Sequence, residues 1–320
     1  MTMKIIGTGS CAGNYKVTNQ DLERIVETSD EWIRTRTGIS SRYISSGEGI
    51  SVMAAKAAEN ACVQAGISPK DLDLILLATS TPEHCFPSEA CQVQGAIGAE
   101  HAAAFDISAA CSGFIFALHT ANSFLLSGIY RNALVIGADE LSKIVDWSDR
   151  KTCVLFGDGA GAVVVQAAEE GRFCSRIGSD GSRGDILTCT ARTGGNFITR
   201  QTPKLGYTAM DGQEVFKFAV KKVPECIAQL LQENGTEAEE IRYYLLHQAN
   251  ERIIEAVAKR LKEPEKKFPM NIAQYGNTSA ASIPILLDEL NRNGQLLRGD
   301  KLVMAGFGGG LTWGAALLEW

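Results

Sequence analysis

Short apolar runs alternate with longer runs of helical spacing along this chain, and the alternation occurs twice. In the first series, residues 4–9 read as a strand and Val52–Ala65 as a helix, with Ser51 as its cap and Gly66 as its stop. Leu74–Thr79 is an apolar strand, and a short helix lies near Ser88–Ile97. Ala102–Ile107 has the look of a buried strand, and Ala133–Ile136 and Ala162–Gln166 add two more. The second series has a long helix over Gln213–Gln232, bent if Pro224 lies inside it. Strand Ile241–Leu246 and helix Asn250–Leu261 come next, then helix Ser279–Leu290 and closing strands Leu302–Ala305 and Leu311–Leu318. This order argues for layered α/β architecture with a boundary near residue 170. Each half ends in a glycine-rich segment read as a hairpin, FGDGAGAVVV at 156–165 and FGGGLTWGAALLEW at 307–320. Gly157, Gly159 and Gly161 do not form a dinucleotide-binding turn, because β-branched Val163–Val165 follow where that motif needs a helix.

Cys111 stands at the junction between one of these strands and the next helix. Behind it, Phe114, Ile115, Ala117, Leu118, Ala121, Phe124 and Leu125 recur at helical spacing. A thiol at a helix N-terminus meets unpaired N–H groups and the positive end of the macrodipole, which favour the thiolate. Ala109, Ala110, Ser112 and Gly113 leave room for a carbonyl to approach. The chain has nine cysteines, and most free cysteines are small buried hydrophobes. None of the others opens a helix in this way.

Composition narrows the class. Hydrophobic content of 45% and 32 glycines describe a compact globular enzyme. No apolar run is long enough for a membrane helix, and the first residues do not read as a signal peptide. An odd number of cysteines then implies reduced thiols in the cytoplasm. A net charge of −6 argues against general nucleic-acid binding. There is no C-x-x-C, and His84, His101, His119 and His247 are scattered, so no metal site is expected.

Two more polar residues sit at helix mouths. His247 ends the strand in YYLLHQAN, where ligand chemistry gathers in α/β folds, and Asn277 lies in QYGNTSAASIPILL. Taken singly, His247 also fits a satisfied core histidine, and Asn277 fits an N-cap. Together with Cys111 they make a nucleophile with two polar partners. Cysteine, histidine and asparagine in that order also match papain-like hydrolases, but the C-G-[SA]-C-[WY] context of those enzymes is missing.

The phrases DEWIRTRTGISSRYI (30–44), AFDISAACSGF (104–114), FGDGAGA (156–162), LLHQANERI (245–253), YGNTSAAS (275–282) and AGFGGGLTWG (305–314) resemble β-ketoacyl-acyl carrier protein synthase III. The resemblance runs from residue 3 to the C-terminus. It implies a thiolase-like fold, with two duplicated α/β halves (1–170 and 171–320) in a five-layered α-β-α-β-α core, and a homodimer. The implied activity is initiation of type II fatty acid synthesis. Cys111 takes the acyl group of a short acyl-CoA, and malonyl-acyl carrier protein then loses CO2 and condenses with it. No cofactor or metal is called for.

Residue by residue, the resemblance assigns the catalytic set to Cys111, His247 and Asn277, with Cys111 and Gly309 N–H groups as the oxyanion hole. His247 and Asn277 would stabilise the enolate formed on decarboxylation rather than act as general bases. Trp32 and Arg150 would sandwich the adenine of CoA, Arg36 and Thr37 would hold its phosphate and base end, and Asn250 would position the pantetheine arm. Gln213 stands at the CoA entrance, where many relatives carry Asn. Phe86 would enter the partner's acyl pocket. Lys217, Lys221, Lys222, Arg252, Lys259 and Arg260 would dock the acidic carrier protein, although spacing alone reads them as a solvated charged face. Glu251 puts a negative charge beside Arg252 in that docking helix.

Overall fold

The computed structural model describes residues 2–320 apart from Arg192, Thr193 and Pro203. Five strands form the first sheet: β1 (Thr2–Ala12), β2 (Leu74–Ala78), β3 (Ala103–Ile107), β4 (Asn132–Glu140) and β5 (Asp158–Ala168). Their order is β1-β5-β4-β2-β3, with β2 parallel to both β3 and β4, and β5 antiparallel to its neighbours. Four strands form the second sheet: β6 (Phe173–Ser179), β7 (Ile241–Leu246), β8 (Lys301–Gly308) and β9 (Thr312–Glu319). They run in the order β7-β8-β9-β6, and β7 and β8 are parallel.

Seven helices matter for the site: α1 (Asp30–Thr37), α2 (Ile50–Ala65), α3 (Glu89–Ile97), α4 (Gly113–Leu126), α5 (Gly212–Glu233), α6 (Glu251–Leu261) and α7 (Ser282–Arg292). The side-chain alternation of each strand sorts them into layers. Ile75, Leu77, Leu134 and Ile136 face α2 and α3 on one side of the first sheet. Leu74, Leu76, Ala133 and Val135 face α4 and α7 on the other side. Leu302, Met304, Ala316 and Leu318 of the second sheet close on the same two helices, while Val303, Ala305, Ala315 and Leu317 face α5 and α6. The outcome is a five-layered α-β-α-β-α stack.

Several local readings need correction. Helix α2 begins at Ile50 with Gly49 as N-cap and no side-chain cap; Ser51 lies in its first turn and donates its hydroxyl to Glu83 Oε1 at 3.0 Å. Gly66 ends the helix as expected, in the left-handed conformation at φ 69°. Strand β3 is the sheet edge, with Phe105 38% exposed, so the apolar run at 102–107 is not a buried strand. Residues 156–165 do not form a hairpin. From Asp158 they belong to β5, which lies between β1 and β4, and an added Cβ at Gly161 would stand 2.7 Å from the Ile285 nitrogen of α7. The 307–320 segment is the expected hairpin, β8 to β9. Helix α5 runs through Pro224 from Gly212 to Glu233.

Candidate active site

Cys111, His247 and Asn277 line one cavity of about 140 Å³, with Leu155, Phe156 and Phe307 among its apolar walls. Each arrives on a different segment. Cys111 sits in the 3₁₀ turn Ala110–Ser112 that opens α4, and Ala110 holds it out with φ 46°. His247 follows the last residue of β7, its N–H bonded to Ala305 O at 2.8 Å. Asn277 is fixed by its backbone: its N–H donates to Leu155 O at 2.8 Å, and its carbonyl accepts from Gly157 N–H at 3.0 Å.

The protonation states differ from the thiolate expected at a helix mouth. Burial pushes the Cys111 thiol up to about 12; a hydrogen bond from Ser279 works against that rise, and the Asp139 carboxylate adds to it. This direction is opposite to the one a helix N-terminus favours. Asp139 is itself buried, accepting from Thr79 and Thr81 hydroxyls and from the Ser80 and Ala280 N–H groups. Burial also pulls His247 down to about 3, so its imidazole is neutral.

Both polar partners are oriented as donors. His247 Nδ1 lies 2.7 Å from Ser282 Oγ, which already accepts from Gln248 N–H at 3.3 Å. Among the described residues, Nδ1 is the one acceptor recorded for the Ser282 hydroxyl proton, so we assign the proton of the imidazole to Nε2. Phe307 packs edge-on against the ring, with centroids 5.5 Å apart. For Asn277, Oδ1 accepts from Ser279 N–H at 2.8 Å, leaving the amide nitrogen for the cavity. Ser279 holds φ 51°, an uncommon conformation for a residue with a Cβ.

The glycine end of β8 passes directly over the cysteine. An added Cβ at Gly308 would lie 2.6 Å from the Cys111 nitrogen, so no other residue fits there. Thr312 Oγ1 lies 3.0 Å from both Ala109 O and Gly309 O, and Ser112 Oγ lies 2.8 Å from it. These two hydroxyls tie the Cys111 turn to the Gly309 segment. Ser279, Ser282, Thr312 and Asp139 escaped the sequence reading. The serines lie inside the YGNTSAAS phrase and Thr312 inside AGFGGGLTWG, while nothing in the sequence marks Asp139.

The remaining expected residues divide. Arg36 and Arg150 lie over Trp32, their guanidinium carbons 4.6 and 5.2 Å from its ring centroid, and Arg150 Nη1 donates to Glu27 O. An adenine stacked between Trp32 and Arg150 would have to displace that guanidinium. Thr37 does not face a cleft: it is buried, donates to Ile33 O at 2.7 Å and accepts from Ile39 N–H. Asn250 lines the cavity but is also the N-cap of α6, and its Nδ2 donates to Arg36 O at 3.0 Å. Gln213 is exposed beside the cavity-lining Gly212. Phe86 is 86% exposed and lies outside the cavity.

The six basic residues do not form one uncommitted cluster. Lys217 pairs with Glu214, and Lys222 pairs with Glu225 and lies over Trp313. Arg252 Nη2 donates to Thr35 O at 2.6 Å. Lys221, Lys259 and Arg260 are exposed. Glu251 packs against Gly38 at the end of α1. One group of three possible ligand residues exists among the described residues, Glu83, His84 and Glu89, but Glu89 already accepts from Glu83 N–H and Gln92 Nε2.

Comparison with known proteins decides the family. Residues 105–181 match the model of 3-oxoacyl-[acyl-carrier-protein] synthase III, and residues 231–320 match the model of its C-terminal part. A β-ketoacyl-[acyl-carrier-protein] synthase III of Clostridium acetobutylicum is 50% identical, over 100% of this chain and 99% of its own. The chain belongs to the β-ketoacyl-[acyl-carrier-protein] synthase III family. Another synthase III, from a Synechococcus strain, is 51% identical over 99% of this chain and 95% of its own. The crystal structure of synthase III from Aquifex aeolicus superposes with a TM-score of 0.93 at 50% identity, covering 99% of this chain and 100% of that one. Synthase III enzymes are acyltransferases of the thiolase-like fold, and the five-layered stack above is that fold.

Proposed function

We infer that this enzyme condenses a short acyl-CoA with malonyl-acyl carrier protein and so initiates fatty acid synthesis. The supporting observation is a half-buried cysteine sharing one cavity with two oriented N–H donors, His247 Nε2 and Asn277 Nδ2. In the first half-reaction the Cys111 sulfur bonds to the acyl carbon, the carbon–sulfur bond of the thioester breaks, and CoA leaves as the thiol with the proton. N–H groups of Cys111 and Gly309 stabilise the tetrahedral oxyanion. In the second, the bond from the malonyl methylene to its carboxylate breaks and CO2 departs. The electron pair forms an enolate whose oxygen takes hydrogen bonds from His247 and Asn277. The enolate carbon attacks the acyl-cysteine, releasing 3-oxoacyl-carrier protein, and the Cys111 sulfur recovers a proton from solvent. The thioester and the loss of CO2 supply the driving force, so no redox group or metal enters.

A neutral histidine suits this role, because a group already pulled down to about 3 donates one N–H without taking up a proton at working pH. The small cavity favours a short starter acyl group. Two copies would pair through β3, whose outer edge carries half-exposed Phe105, with Phe86 of each copy reaching the acyl cavity of the other. Trp32 with Arg36 and Arg150 is the supported place for the nucleotide of CoA, and exposed Lys221, Lys259 and Arg260 for the acidic carrier. We place the enzyme in the cytoplasm; its nine cysteines are unpaired, and no described helix is long and apolar enough to cross a membrane.

The test is intact-protein mass after mixing with acetyl-CoA and, separately, isobutyryl-CoA, followed by a chase with malonyl-acyl carrier protein. An adduct on Cys111 that the chase converts to 3-oxoacyl-carrier protein is the expected result. An adduct that water alone clears would make the protein a thioester hydrolase.

A further inference from the structure

Behind the candidate site lies a cation with no ion-paired carboxylate among the described residues. Arg42, on the short strand Ser41–Ile44, is 0% exposed. Its Nη1 donates to Asn19 Oδ1 at 2.8 Å and its Nη2 to Val154 O at 2.6 Å, while Nε has no partner. Among the described residues no carboxylate forms an ion pair with it. Neighbouring Cys153 does not supply the missing charge either, because burial pushes its thiol up to about 11. Burial pulls the guanidinium down only to about 10, so it stays charged at neutral pH. A buried charge without a paired carboxylate is expensive and has many cheaper apolar replacements. Its two bonds show what it holds.

On one side the bonds lead to the nucleotide end of the site. Asn19 is also 0% exposed, and its Nδ2 donates to Asp30 Oδ1 and to Ile39 O, both at 2.8 Å. Asp30 is the first residue of α1, the helix that carries Trp32 and Arg36. On the other side they lead to Asn277. Val154 precedes Leu155, whose carbonyl accepts the Asn277 N–H, and Gly157 N–H returns to the Asn277 carbonyl. Arg42 also supports the turn before Asn277: an added Cβ at Gly276, where φ is 65°, would meet Arg42 Cβ at 3.2 Å and Leu155 O at 2.9 Å.

We propose that Arg42 is a positioning residue for decarboxylation: it clamps the Val154–Gly157 segment to α1 and thereby fixes where the Asn277 amide points. The proposal rests on the assignment of Asn277 to the decarboxylation half-reaction. Cys111 and Gly309 hang on other elements, the α4 turn and the end of β8, so once acyl-CoA is bound the acyl-transfer step does not pass through this clamp, and a shift of α1 is felt only in CoA affinity. A displacement of the amide by a fraction of an ångström weakens a hydrogen bond to the enolate but leaves the thiol where it was.

The experiment measures the two half-reactions separately, by rapid-quench acetylation of Cys111 and by release of labelled CO2 from malonyl-acyl carrier protein. In Arg42→Met, which keeps the length of the side chain and loses both bonds, decarboxylation should fall about tenfold or more, with acetylation at saturating acetyl-CoA within about twofold of the parent. The loss should lie in kcat, with KM for malonyl-acyl carrier protein little changed. Arg42→Lys keeps the charge and one donor for Val154 O and should recover part of the rate. If Arg42→Met does not fold, the loss confined to decarboxylation is sought in Arg42→Lys instead. Parallel loss of both half-reactions in folded protein, or loss of neither, would overturn the proposal. Asn277→Ala is run beside them. If it keeps full decarboxylation, the role of Asn277 falls and the clamp with it; if it loses decarboxylation while the Arg42 variants do not, the clamp alone is wrong.

Discussion

Two turns pack against each other at the floor of the cavity, and they are built alike. Ala110–Ser112 opens α4, Ser279–Ala281 opens α7, and each is a single 3₁₀ turn running straight into its helix without a side-chain cap. Each begins with a residue other than glycine at positive φ, Ala110 at 46° and Ser279 at 51°. In the first turn the second residue is Cys111, in the other it is Ala280. One turn therefore presents a thiol to the cavity. The other carries no thiol there, and its first residue, Ser279, donates its backbone N–H to Asn277 Oδ1. On the proposed assignment, the same local geometry serves bond-making in one turn and charge stabilisation in the other.

The sharpest way to break this comparison is to remove each side's working group. Cys111→Ala should abolish acyl transfer, whereas Asn277→Ala should leave it and slow decarboxylation by about 10²–10³, the usual cost of one lost donor to an oxyanion. Rapid-quench acetylation and CO2 release give the two numbers. If Asn277→Ala stopped acetylation as completely as Cys111→Ala, the division between the turns would be wrong.

A smaller effect tests the charge state of the first turn. A thiol held up near 12 stays protonated through neutral pH, so its alkylation by iodoacetamide should climb about tenfold for each pH unit between 7 and 9. Mass spectrometry of the Cys111 peptide follows this directly. A plateau already below pH 8 would mean that the N-terminus of α4 outweighs burial, and that this turn differs from its counterpart more than its backbone does.

The smallest effect concerns the shared backbone strain. Ala and Ser already bear the roughly 1–2 kcal/mol that a Cβ costs in the left-handed region, and a β-branched side chain adds to it. Ala110→Val and Ser279→Val should therefore lower stability to a similar degree, read as urea midpoints. Unequal losses would show that one turn holds its conformation against its neighbours and the other merely adopts it.

How far the sequence reveals this site depends on whether a residue's role is local. Cys111, His247 and Asn277 each stand at the mouth of a helix, and that position is visible in a run of ten or fifteen residues. Gly66 was legible as a stop for the same reason. Ser51 was misplaced by one short turn, because Gly49 can enter the helix at φ 78° without any side-chain cap. The exposure of Ala103–Ile107 was hidden because an edge strand and a central strand have the same composition when one face of each packs on helices. Arg42 and Thr312 lie inside matching phrases, yet their roles, like that of Asp139, were not legible for another reason. Their partners lie more than fifty residues away, at Val154, Ala109 and Thr79, and no spacing rule connects such pairs. Thr37 shows the converse: a residue in a matching phrase whose hydroxyl is consumed by its own helix.

The middle layer, α4 with α7, belongs to neither half. Its side chains fill the space between the two sheets, and each sheet leaves one apolar face for it to cover. Helix α4 comes from the first part of the chain and α7 from the second, so neither part separated from the other can close its own stack. The two sheets therefore share a single interior, and a cut of the chain between them would leave each sheet with one bare apolar face.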